Sequence, residues 1–374
     1  MKIIQILPEL NAGGVERGTL EIAAHLVREG HESLVISNGG RQVADLEKAG
    51  SRHIQMPVHR KALASLGQIP RLRKLFATEK PDIIHLRSRL PAWLAWLAWK
   101  SLPRNTRPRL VTTVHGFYSV NAYSAVMTKG ERVIAVSESI RDYITDNYPD
   151  TPAGKISVVH RGVDPELFPR GFQPDEAWRE KWSAEQPQLA GKKVLLLPGR
   201  ITRLKGHGDF FRLLAALKKQ GRTVHGLIAG DAHPKKLDYL AELKTLLAEM
   251  GLVDHVTFLG HRSDVREIMA VSDVVCALSQ QPESFGRTVL EAMAIGKPVL
   301  GYDCGGVGEL LSTVFPAGKV PLGDAARLLE KAVRILDESP EPKVPEGAFT
   351  LGAMCGNTLA LYADLLKSPG RLSG

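Results

Sequence analysis

Two glutamates, Glu283 and Glu291, stand eight positions apart in the stretch PESFGRTVLEAMA. A Phe-Gly pair and an arginine lie between them, and the second glutamate sits in an apolar pattern of helical period. A carboxylate accepts paired hydrogen bonds from vicinal hydroxyls, such as those of a ribose or a pyranose. Ser284 reads as the N-cap of a helix over residues 285–294, and the missing side chain at Gly286 would let helix N–H groups reach an anion. One helix start could then hold a phosphate with backbone donors, a sugar with Glu283 and a ribose with Glu291. The plain alternative is a surface glutamate followed by one that complements the helix dipole.

Two other stretches carry compatible chemistry. PGRITRLKG (198–206) places Arg200 and Lys205 on a turn after a strand-like run. Arginine clamps two phosphate oxygens and lysine adds a point charge. LPELNAGGVERG brings Gly13 and Gly14 to the start of a helix expected from about Val15. The positive end of that helix favours phosphate. Its spacing is G-G-x-x-x-G, which differs from the dinucleotide pattern G-x-G-x-x-G and argues against nicotinamide chemistry.

The elements that must position these residues are legible as short Val/Ile/Leu-rich runs alternating with amphipathic stretches. Seven such runs fall at 2–7, 33–37, 53–58, 82–86, 110–115, 132–137 and 156–160, and five at 193–198, 224–230, 256–260, 273–279 and 298–303. Near-continuous apolar strands separated by helices imply parallel sheets covered on both faces, the doubly wound α/β class. A polar stretch at 169–193 reads as the linker between two Rossmann-like halves facing a cleft. Ligands of such sheets sit at the carboxyl ends of strands, where all three stretches fall.

The chain has 374 residues, enough for two domains of ordinary size. Its three cysteines, Cys276, Cys304 and Cys355, have neither metal nor redox spacing, which suits a reducing compartment. There is no D-x-D motif and no His/Cys/Asp ligand cluster, so no metal site is expected; no apolar run is long enough to span a bilayer. The net charge of +9 is unevenly spread. Residues 48–109 hold 14 Lys and Arg against Glu79 and Asp82, a net of +12. Such asymmetry suggests an anionic partner, the plain alternative being a solvated basic face with no specific role. Within it, Arg60, Lys61, Arg71, Arg73 and Lys74 accompany Leu63, Leu66, Ile69, Leu72 and Leu75 at mostly helical spacing, with a break expected at Pro70. That surface could rest on anionic lipid headgroups. The three Trp residues of LPAWLAWLAWKSL (90–102) suggest an interface helix, but the stretch is apolar all round, which favours packing between a sheet and its neighbours.

Glu283 to Glu291 resembles the E-x7-E signature of the retaining glycosyltransferases of family 4, which have the GT-B fold. NAGGVERG, VTTVHG (111–116), VSES, RGVD (161–164), GRITRLKG, AGD (229–231), FLGHRSDV and GGVGEL (305–310) follow in that family's order, so the likeness runs nearly the whole chain. The resemblance implies an acceptor domain over 1–170, a donor domain over 190–350 and a final helix within 351–374 that crosses back to the first domain. It implies that Arg200 and Lys205 bind the donor diphosphate, Glu291 the ribose and Glu283 the donor sugar. Ser284, Phe285 and Gly286 would contact the donor too, the last two through backbone donors. His115 would touch the transferred sugar, Gly13 and Gly14 the diphosphate, and His261 and Arg262 the region of the base. No cofactor is implied beyond a nucleoside-diphosphate sugar as substrate. The acceptor would be an anionic glycolipid, such as lipopolysaccharide core, reached from the cytoplasm by peripheral contact with the inner membrane. Two other readings compete: a sugar-nucleotide epimerase of the same fold, and a basic nucleic-acid binder. No aromatic-basic RNA motif or zinc finger supports the second, so a nucleic-acid partner is not expected.

Overall fold

A computed structural model describes residues 1–11, 13–232 and 237–368. The chain divides into two units, Met1–Arg161 with the segment from Leu351, and Gly162–Thr350. The first boundary falls at Arg161, ahead of the expected 170. The polar stretch after it is more than a linker. It contains the helix Glu176–Glu185, capped by the Asp175 carboxylate accepting from Trp178 N–H, with Trp182 buried in the second unit's core.

The first unit is built on seven parallel strands: β1 (Lys2–Ile6), β2 (Glu32–Ser37), β3 (Arg52–Gln55), β4 (Ile83–Leu86), β5 (Arg109–Val114), β6 (Arg132–Ala135) and β7 (Ile156–Val158). Their order is β3-β2-β1-β4-β5-β6-β7. Among the described residues the second unit has six: β8 (Lys193–Pro198), β9 (Val224–Ala229), β10 (Val256–Gly260), β11 (Val274–Ala277), β12 (Val299–Tyr302) and the two-residue β13 (Lys319–Val320), in the order β10-β9-β8-β11-β12-β13. Each sheet thus reverses its winding once, between β1 and β4 in one and between β8 and β11 in the other. That reversal parts the following loops and opens a crevice at the carboxyl edge.

Burial explains why strands form where they do. Ile3, Ile4, Ile6, Leu34 and Ile36 have no exposed surface, as parallel strands covered on both faces require. The helix Arg89–Lys100 lays Ala92, Leu94, Ala95 and Ala98 onto this core, with Trp93, Trp96 and Trp99 partly buried beside them. Pro70 makes no break. It occupies the third position of the helix Gln68–Glu79, where a missing N–H leaves no intrahelical bond unmade. The chain bends earlier, at a 3₁₀ turn over Leu63–Gly67, so the five apolar residues form no single face. Leu72 is buried, whereas Leu63 and Leu66 stand 87% and 52% exposed. The last helix, Leu351–Lys367, belongs to the first unit and packs Met354, Cys355, Tyr362 and Leu365 against Ile3, Ile22 and Ile83.

Candidate active site

In the second unit the basic turn and the first glutamate meet at the winding reversal. After β8 the chain passes through Gly199 and Arg200 into a 3₁₀ turn, Arg203–Lys205, and then into the helix His207–Lys219. Gly206 makes that passage possible. Its φ is +72°, and a Cβ there would lie 2.0 Å from the carbonyl oxygen of Leu278. Gln280 N–H donates to the Leu204 carbonyl at 2.8 Å, which binds the turn to the loop after β11. The result is an ion pair, Lys205 Nζ to Glu283 Oε1 at 2.6 Å. Ser279 Oγ donates to the same carboxylate oxygen. Lys205, Ser279, Glu283, Gly286 and Thr288 line a small pocket beneath this loop. Arg200 is exposed at the end of the same strand.

The helix carrying the second glutamate begins later than its sequence suggests. It spans Arg287–Ala294, and its cap is Gly286 in a left-handed conformation at φ 91°, not Ser284. Phe285 is buried in the core against Phe349, so only its backbone is available to a ligand. The backbone N–H of Gly306 donates to the Glu283 carbonyl at 2.7 Å, anchoring the loop to the neighbouring helix Gly305–Val314. Glu291 faces Arg287 one turn earlier, with Nε 3.6 Å from Oε1, and Arg287 Nη2 also donates to the Gly162 carbonyl at 3.3 Å. The arginine inside the E-x7-E stretch thus orients the second carboxylate. His261 is exposed after the edge strand β10. Arg262 instead grips Asp264 through two hydrogen bonds, at 2.8 and 2.6 Å, over the ring of Trp182. Its fork is turned onto its own loop. Among the described residues no three His, Cys, Asp or Glu side chains gather as a metal site would need.

The first unit carries a second cluster at its own carboxyl edge. The helix Gly14–Arg28 starts at the winding reversal, with Gly13 as its cap residue. The space over Gly14 is open, while a Cβ on Gly13 would come within 2.5 Å of Glu16 Oε2, so a carboxylate already lies over that helix start. His115 follows β5, Arg87 follows β4 and Arg161 follows β7. Arg161 Nη2 meets His115 Nδ1. Arg87 has no exposed surface, donates to Gln5 Oε1 at 2.9 Å, and is lowered to about 10 by burial, so it stays charged at neutral pH. Burial and the two guanidinium charges hold both His115 and His85 well below 6.5. His85 lies between the hydroxyls of Tyr362 and Thr113, each at 2.6 Å. His53 and His225 are likewise bonded to Ser37 and Thr257.

Arg87 and Ser279 belong to no motif, and Arg161 only opens RGVD (161–164). Each directly follows a strand-like run of a parallel sheet or closes it, and that position is the signal that marks them.

The geometry has counterparts. Residues 12–167 match the family described as Glycosyltransferase Family 4, and residues 179–344 match Glycosyl transferases group 1. A D-inositol 3-phosphate glycosyltransferase of Gordonia bronchialis is 30% identical over 77% of this chain and 67% of its own. The chain belongs to the GT-B glycosyltransferases. A solved glycosyltransferase from Rickettsia africae superposes on this GT-B chain with a TM-score of 0.86 at 29% identity, covering 98% of this chain and 99% of that one. The Anabaena protein Alr3699/HepE, solved with UDP-glucose, shares the GT-B fold at a TM-score of 0.74 and 23% identity, over 98% of this chain and 95% of that one.

Proposed function

We propose that this glycosyltransferase moves a sugar from a nucleoside-diphosphate sugar to a hydroxyl of a phosphate-bearing glycolipid, retaining the anomeric configuration and needing no metal. The observation that carries the donor half is the Lys205–Glu283 ion pair at the β8/β11 reversal, beside the exposed Arg200. An arriving diphosphate competes for Lys205 and releases Glu283 to accept from the hydroxyls of the sugar. Arg200 and Lys205 then offset the charge of the departing diphosphate, the part a divalent cation plays elsewhere. Glu291, oriented by Arg287, suits the ribose. His261 lies three strands from β11, about 14 Å along the sheet edge, a reach that suits the base. His115 serves the transferred sugar, with Gly13 and Gly14 toward the diphosphate. The UDP-glucose held by the Anabaena protein supports a donor of this class.

The acceptor half of the reading is supported by charge. The +12 segment lies wholly in the first unit, and the Gordonia relative's name carries inositol 3-phosphate, an anionic compound. Arg60, Lys61, Arg71, Arg73 and Lys74 are all exposed near Leu63 and Leu66, a combination that suits peripheral contact with an anionic membrane on its cytoplasmic face. Lipopolysaccharide core is the acceptor we favour.

A thermal-shift screen of UDP, GDP and ADP sugars tests the donor: one series should raise the melting midpoint by mass action. Incubating that donor with lipopolysaccharide core should then yield a product whose new linkage keeps the donor's anomeric configuration by NMR. Stabilisation by no nucleotide sugar would end the reading, and an inverted linkage would end its mechanism.

A further inference from the structure

The contact between Arg161 and His115 fixes a chemical detail. A guanidinium has donors and no acceptor. In the bond between Arg161 Nη2 and His115 Nδ1, the arginine must therefore donate and Nδ1 must accept through its lone pair. A neutral imidazole with Nδ1 bare carries its one proton on Nε2. His115 Nε2 is buried and has no partner among the described residues. An N–H donor is thus presented with nothing of this unit to receive it.

The surroundings hold the ring in that state. His115 is anchored by its backbone N–H, which donates to Tyr118 Oη at 3.1 Å. The charged groups that face the ring are Arg161, after β7, and Arg87, after β4; the neutral His85 lies on β4. Protonating Nδ1 would break the Arg161 bond and set an imidazolium beside two guanidiniums in a buried site. Arg161 is itself closely fitted. Its Nη1 lies 3.8 Å from Met354 Sδ, and Gly18 makes way for it, since a Cβ there would come 2.8 Å from Nη1 and 3.2 Å from Arg87 Nη2.

We infer that Arg161 is a positioning residue that locks His115 as the neutral Nε2–H tautomer, making it a hydrogen-bond donor to an oxygen of the transferred sugar and never a proton acceptor. The inference rests on the sugar contact proposed for His115. The acceptor's proton consequently leaves by another group, and turnover has no acid limb due to His115.

The test is ¹⁵N NMR of the histidine rings in the full chain, with His115 assigned by its loss in His115→Gln. The wild-type protein should show Nδ1 bare and Nε2 protonated, with no titration around the ordinary 6.5. In Arg161→Met the ring should mix tautomers and titrate there. Its kcat/KM should fall a few-fold, because part of the rings lose the Nε2 donor, and the loss should shrink as the pH drops, because an imidazolium again carries the Nε2 proton. Arg161→Lys still donates and should restore the wild-type signature. A proton on Nδ1, a wild-type ring that titrates near 6.5, or an unchanged ring in Arg161→Met would overturn the inference. If Arg161→Met does not fold, the wild-type and Arg161→Lys spectra decide. The spectra need no turnover, so a chain with the expected tautomer that transfers no sugar refutes the proposed function alone.

Discussion

At the scale of residues, the site combines groups whose chemistry is visible in sequence with groups that only packing reveals. Glu283 and Lys205 are 78 positions apart and joined at 2.6 Å. Their side chains keep 29% and 31% of their surface exposed. An ion pair so placed contributes about 0–1 kcal/mol to stability. Glu283→Gln and Lys205→Ala should therefore barely move the melting midpoint, yet each should lower turnover of the preferred nucleotide sugar by at least about a hundredfold. A drop in midpoint large enough to account for lost turnover would give the pair a structural role instead. Spacing revealed the two glutamates and the basic turn. It could not reveal Ser279, Arg87 or Arg161, because their partners are brought to them by strand order: Gln5 lies on β1 beside β4, and His115 follows β5, two strands from β7.

At the scale of elements, all twelve strands expected from apolar runs are present, and the two-residue β13 is too short to show a pattern. Helix boundaries depend on contacts that spacing does not show. Ser284 has the side chain of a cap, but the close approach of Gly286 to Val307, 2.8 Å from a Cβ built there, places the turn two residues later. The segment 169–193 reads as a linker because its helix is polar on most faces and buries one residue, Trp182. Two substitutions test how elements hold the site. Gly206→Ala strains a left-handed turn and strikes a backbone oxygen, so it should cost more than about 2 kcal/mol in urea unfolding and weaken nucleotide-sugar binding with it. Tyr362→Phe removes the hydroxyl between the last helix and His85, and leaving the buried His85 Nδ1 without that partner should cost about 1–3 kcal/mol. On the outer surface, Leu63→Ser with Leu66→Ser should reduce flotation with anionic vesicles while leaving nucleotide-sugar binding unchanged; equal flotation would place membrane contact elsewhere.

At the scale of the molecule, each unit buries neutral histidines. Burial lowers His207 and His225 to about 4 in the second unit, and lowers His85 and His115 well below 6.5 in the first. A base whose folded pKa is depressed takes up protons on unfolding, so the stability it allows is present above 6.5 and is lost as the pH falls toward the folded value. Each histidine should steepen that loss by up to about 1.4 kcal/mol per pH unit. Urea midpoints should fall steadily between about pH 7 and 4.5, and a flat profile would contradict the burial of these rings. The chain path has a further consequence. The second unit is continuous, whereas the first needs Met354, Tyr362 and Leu365 to cover Ile3 and Ile83. During synthesis the half that begins to emerge first is therefore the half that closes last, waiting with an uncovered sheet face while its successor is translated and folds.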